Sequence, residues 1–150
     1  MALNDSKKMS EYDFQSGLGT YNNNTDVFKW VQITEVYSSI DENASSIGIA
    51  NFTKVTSAGL YVQDSTLANS AWTRSGAVSK LDYDDFSYAG DSSNPVNGKT
   101  WACYNDTSPN KDVYKLVDMT TDNGTTPANT TLGFNGNINA GGSGTVTTNV

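Results

Sequence analysis

The chain has no histidine and a single cysteine among its 150 residues. Without an imidazole, the commonest base near neutral pH is missing, and nucleophile–histidine chemistry is excluded. Cys103 has no second thiol to pair with, which excludes an internal disulfide framework. In Lys99-Thr100-Trp101-Ala102-Cys103-Tyr104 the cysteine takes the place of a small buried strand residue. Positive charge is also scarce. Nine Lys and Arg stand against 16 Asp and Glu, for a net charge of −7, and Lys7-Lys8 is the only adjacent basic pair. Phosphate backbones are held by clustered Lys and Arg, so a nucleic-acid partner is excluded. No apolar run reaches the length of a membrane helix, and the opening MALNDSKKMSEYDF lacks a signal-peptide core. The expectation is synthesis and folding in a cytosol, with no membrane partner.

Hydrophobic residues make up only 36% of the chain, while Asn, Ser and Thr supply about a third. These polar residues suit turns and solvent-facing strand positions and compete with helix formation. The apolar material is aromatic and β-branched, with 8 Tyr, 5 Phe and 3 Trp, a composition that favours pleated surfaces. A thin aromatic core in an all-β domain follows.

The first 25 residues differ from the rest. They are polar and poor in β-branched residues. Met9, Tyr12, Phe14 and Leu18 form a weak helical stripe that Gly17 and Gly19 curtail. The expectation is an extended N-terminal arm over residues 1–25, outside the core, with a β domain over 26–150. The first strand is Val27 to Thr34, a nearly continuous apolar run that reads as central. Weaker strands are expected at Ile47 to Val55 and Leu60 to Gln63, around a break at Ser57-Ala58-Gly59. Trp72 to Arg74 and Ala77 to Tyr83 flank a turn at Ser75-Gly76, and Phe86 to Tyr88 continues that sheet. Lys99 to Tyr104 and Val113 to Met119 form the best hairpin, across a link rich in residues that bond their own backbone. Thr130 to Phe134 and Thr145 to Val150 supply the last strands. About eight short antiparallel strands at this spacing predict a β-sandwich or barrel-like domain.

Chemistry-bearing clusters are few. Asp82, Asp84 and Asp85 form one acidic cluster, and calcium prefers oxygen ligands of this kind. The cluster lacks the Gly and downstream Glu of an EF-hand loop, so a solvated turn is favoured over a metal site. Asn23, Asn43, Asn51, Asn105, Asn123 and Asn129 each open an N-x-S/T sequon, most simply a product of composition. No catalytic residue set and no cofactor is expected. Trp30, Trp72 and Trp101 would be the stacking platforms of a carbohydrate-binding module if exposed, but their strand positions favour the core.

The run Trp72-Thr73-Arg74-Ser75-Gly76, a strand, and an aromatic strand ending in Tyr104-Asn105-Asp106-Thr107 resembles a family of small β-rich tailed-bacteriophage virion proteins. The similarity extends from about Val27 onwards, through Ser57-Ala58-Gly59-Leu60-Tyr61 and Val113 to Asp118, and loosely through Asn137 to Val146. It rests on the order of short motifs. The resemblance implies a capsid decoration or cement protein on the outside of the phage head, binding across neighbouring major capsid subunits. It also implies a homo-oligomer, most often a trimer, with a tail, neck or fibre component as the alternative. The aromatic residues Tyr12, Phe14 and Tyr21 of the arm are the expected capsid contacts, since aromatic anchors dominate interface energy.

Overall fold

The computed structural model describes residues 5–84, 93–95, 97–119, 138–139 and 145–146. In chain order the elements are β1 (Ser6–Lys8), α1 (Ser10–Gly17), β2 (Phe28–Ile33), β3 (Ser65–Thr66), β4 (Ala71–Ser75), β5 (Val78–Asp82), β6 (Thr100–Asn105), β7 (Val113–Asp118), β8 (Ile138–Asn139) and β9 (Thr145–Val146). One antiparallel sheet has the order β1-β7-β6-β2-β3; β4 pairs with β5, and β8 with β9, in two separate two-stranded sheets. The domain is thus built on antiparallel β-structure, as the composition predicts. The five-stranded sheet is open, with β1 and β3 at its edges.

The strongest apolar runs occupy the middle of that sheet. Opposite β2, strand β6 pairs Trp30 with Cys103 and Gln32 with Trp101. Pleating sends alternate residues to opposite faces. Phe28, Trp30, Gln32, Trp101, Cys103 and Asn105 therefore share one face, while Val31, Ile33, Thr100, Ala102 and Tyr104 share the other. All six residues of β6 are buried, which means that both faces of the sheet's centre are covered. This explains the continuous apolar character of β2, which a sheet with one wet face would have broken by alternation.

Each cover has a local cause. On the Phe28 face, α1 sets the Tyr12 ring 6.5 Å from Phe28 and 5.2 Å from Tyr114. A β-bulge between Cys103 and Tyr104 leaves Tyr114 without a direct partner and turns its ring toward α1. Tyr61 meets Trp30 edge-on at 5.8 Å on the same side. On the opposite face, the Lys7 ammonium donates to the Tyr37 and Ile40 carbonyls at 3.0 and 2.6 Å, which brings the 36–40 turn beneath β7. Tyr37, Ile47, Ile49 and Val55 are buried in the same core.

Three findings depart from the sequence-based expectations. Ile47 to Val55 is not a strand. It holds a 3₁₀ turn at Ile49–Asn51 between isolated bridges joining Gly48 to Asp112 and Ile33 to Lys54. Leu60 to Gln63 is likewise no strand; an Ala58–Tyr61 bridge closes a tight turn around Gly59, whose φ of +58° suits a residue without Cβ. The third concerns the N-terminus.

The arm over residues 1–25 is expected to lie outside the core, and from Asp5 onwards the structure carries the core across the Asp26 boundary. Ser6, Lys7 and Lys8 pair with Val117, Leu116 and Lys115 and so form the edge strand. Met9 and Tyr12 are each 1% exposed. Polarity misleads here because two apolar side chains and three backbone pairings are enough to bind the segment. As the sequence implies, α1 stops at Gly17, and Gly19 follows with a φ of +76°. The expected strands Phe86 to Tyr88 and Thr130 to Phe134 lie outside the described residues, as does most of Thr145 to Val150.

Candidate interaction surface

Tyr12, Phe14 and Tyr21, the expected contact residues, fall in three different environments. A helix turns about 100° per residue, so Tyr12 and Phe14 point to nearly opposite sides of α1. Tyr12 points inward. Its phenol donates to Asn23 Oδ1 at 2.8 Å and accepts from Asn105 Nδ2 at 3.1 Å. Burial pushes its pKa up, so the hydroxyl stays protonated and keeps its donor role. Phe14 points outward and is 60% exposed. Leu18, four residues on and hence on the same side, is 65% exposed. Tyr21 is half-buried, stacked on Tyr12 with ring centroids 4.4 Å apart. Its phenol donates to Asp112 Oδ2 at 2.5 Å. Burial first, and then the Asp112 hydrogen bond, hold its pKa above the usual value. The structure therefore brings Tyr12 and Tyr21 together and leaves Phe14 on the surface with Leu18.

The helix is fixed by a polar hub at Asn105, which is fully buried. Its Nδ2 donates to Tyr12 and to Asp26 Oδ2, the latter at 2.7 Å. Its Oδ1 accepts from the Thr107 and Ser108 amides at 3.0 and 3.1 Å. One side chain thus ties α1, the 22–26 turn and the β6–β7 link to each other. A buried amide so fully partnered rigidifies its surroundings.

A second apolar projection was not singled out by the sequence. Leu60 and Val62, 49% and 60% exposed, flank Tyr61, which is buried with its phenol accepting the Gln32 amide at 3.0 Å. The turn is pinned from outside, where Asn94 Oδ1 accepts the Leu60 amide at 2.7 Å. A Cβ on Gly59 would stand 2.5 Å from that oxygen. The signal available in the sequence was Ala58-Gly59 followed by alternation in Leu60-Tyr61-Val62.

Several of the cations are drawn into local pairs. Lys29 lies 2.8 Å from Asp106, which Lys111 also contacts, and Lys54 lies 2.6 Å from Asp64. Burial raises the Asp106 carboxyl, but hydrogen bonds from Lys111 and Lys29 outweigh it, and the group is held below the usual carboxylate range.

Trp30 and Trp101 are 2% and 1% exposed, which closes both as stacking platforms; Trp72, 37% exposed on β4, remains open to solvent. Cys103 is buried on β6, and burial pushes its thiol up to about 12. Asp84 accepts from Asn69 Nδ2 at 2.6 Å, Asp82 is half-buried, and Asp85 lies outside the described residues. Among the described residues, no three His, Cys, Asp or Glu side chains gather to hold a metal ion. Comparison of the chain with family models, with curated proteins and with solved structures found no match.

Proposed function

We propose that this protein is a virion structural protein that decorates and cements a bacteriophage capsid, bridging neighbouring major capsid subunits on the outside of the head. The observation that carries this is the mounting of Phe14 and Leu18. Both project from a helix whose other side is locked into the core through Tyr12. Side chains held outward on a fixed support lose little freedom on binding, and aromatic anchors contribute most at interfaces. Repetition on a lattice then raises avidity beyond that of any single contact. The net charge of −7 keeps a protein present in many copies soluble. Self-association, with a trimer as the favoured form, follows from the symmetry of such lattices. The domain is read as a small sandwich-like body, supported by burial on both faces of β6 and by burial of Leu81 within the β4–β5 hairpin and of Tyr83 just after it.

The test is co-sedimentation with undecorated shells. The parent protein should pellet with them, and Phe14→Ser combined with Leu18→Ser should stay in the supernatant while melting like the parent. A parent that never pellets with shells overturns the proposal. Equal pelleting of both proteins moves the contact to another face, with Leu60 and Val62 next in line. A low copy number on purified particles would assign the chain to the neck, tail or fibre instead of the head.

A further inference from the structure

We propose that the cleft between the 45–51 and 108–112 turns binds a neutral, polyhydroxylated small molecule of about the size of one sugar unit. The cleft encloses about 310 Å³ and is lined by Ser45, Ser46, Gly48, Asn51, Asn110 and Asp112, with Ile47 and Ala50. Nothing in the docking role of α1 uses it.

The walls belong to the folded frame. The Ile49 amide donates to the Lys111 carbonyl at 3.0 Å, and the Val113 amide to the Ile47 carbonyl at 2.9 Å. Gly48 bridges to Asp112, and a Cβ on Gly48 would stand 2.6 Å from the Asn110 carbonyl oxygen. Only glycine lets the two turns approach this closely. Asn51 Nδ2 donates to Ser46 Oγ at 3.0 Å and to its carbonyl at 3.3 Å, which fixes that side of the rim.

The lining chemistry selects the ligand class. Two amides, two hydroxyls and one carboxylate offer donors and acceptors side by side, as sugar hydroxyls require. Tyr21, which is not in the lining, donates to Asp112 Oδ2 and orients the carboxylate, and Oδ1 is the oxygen proposed to accept from a ligand. An anion is disfavoured because the lining holds a carboxylate and no cation, the neighbouring Lys111 being paired with Asp106. A lone metal ion is disfavoured by a single carboxylate and by a volume of roughly ten waters, at ~30 Å³ each. An apolar ligand would strand the polar groups. With no aromatic platform in the lining, hydrogen bonds alone carry the affinity, and a Kd on the order of 1 mM is expected.

The experiment follows backbone amide NMR shifts in the full chain during titration with methyl glycosides of glucose, galactose and mannose and with N-acetylglucosamine. Sodium phosphate and calcium chloride are run in parallel. The expected result is saturable shifts at Gly48, Asn51, Asn110 and Asp112 with at least one sugar and none with phosphate. Asp112→Asn, which still accepts from Tyr21, should weaken binding about tenfold, the cost of losing one charge-assisted hydrogen bond. Asn110→Ala, at an exposed position whose loss leaves the fold intact, should weaken it several-fold. The proposal is overturned if no sugar gives saturable shifts at these amides, or if both variants bind as the parent does. It is equally overturned if calcium reproduces the shifts where sugars do not.

Discussion

Residues 5–26 and the β4–β5 hairpin both lie outside the three central strands, yet they are attached to them in different ways. The N-terminal segment extends the main sheet itself through β1 and sends Met9 and Tyr12 into its core. Its polar groups are shared with the sheet as well, since Tyr12 and Asp26 both meet Asn105. The hairpin forms its own two-stranded sheet and holds on through Leu81 and Tyr83, through the Asp84 amide on the Ala68 carbonyl, and through the Trp72 amide on Asn24. Aromatic content does not measure integration. What counts is whether a buried side chain and the backbone beside it are both satisfied by the same partner strands.

Removal of residues 1–20 should break this contrast most severely. The deletion takes away β1, Met9 and Tyr12, and losses of about 2–5 kcal/mol per buried large side chain approach the whole stability of a domain. Far-UV dichroism and thermal melting should show an unfolded or molten chain; a truncated protein that melts like the parent would mean the segment is an appendage after all. Next in size are single truncations. Tyr12→Ala and Trp101→Ala should each cost about 3–5 kcal/mol by urea unfolding, even though one lies in the polar segment and the other at the sheet centre. A cost below about 1 kcal/mol for Tyr12→Ala would put the segment's hold on its backbone pairings alone.

A smaller effect is expected at low pH. The folded pKa of Asp106 lies below its unfolded value of 3.8, so its contribution is complete above that value and is lost as pH falls through the lower folded one. Urea midpoints of the parent should therefore fall toward those of Asp106→Asn below about pH 4, and a constant gap between the two at all pH values would contradict the pairing with Lys29 and Lys111. Smallest of all are the exposed aromatics. Phe14→Ala should change stability by no more than about 0.5 kcal/mol, and Trp72→Ala by no more than about 1 kcal/mol, in the same assay. A larger loss at Trp72 would show the hairpin to be packed more tightly than its exposure implies.

The strands visible in the sequence were those that carry their own apolar pattern. β2, β4, β5, β6 and β7 all match, to within one residue at either end, runs readable from aromatic and β-branched residues. β1 and β3 were not readable, because Ser6-Lys7-Lys8 and Ser65-Thr66 owe their conformation to the edges they pair with. The Ile47 to Val55 run shows the converse. Ile47, Ile49 and Val55 are buried, but Gly48 and Asn51 shape the run into a turn, and burial without a ladder leaves the same composition as a strand. For the interaction surface, helical spacing separates Tyr12 from Phe14 but does not say which one faces inward. The cleft between 45–51 and 108–112 was not legible, because its two walls are remote in the chain and meet only through the Gly48–Asp112 bridge.

The pairing of Ser6 with Val117 also sets the order of events during folding. A growing chain exposes β1 long before β7 exists, so the edge of the sheet cannot close until nearly all of the described core has been synthesised. At ~5–20 residues per second of translation, β1 waits for roughly 5–20 seconds before its partner strand exists. Non-local pairings of this kind place folding toward the slow end for small domains. Two adjacent lysines in β1 give that waiting segment a charge that discourages premature strand-to-strand association between nascent chains.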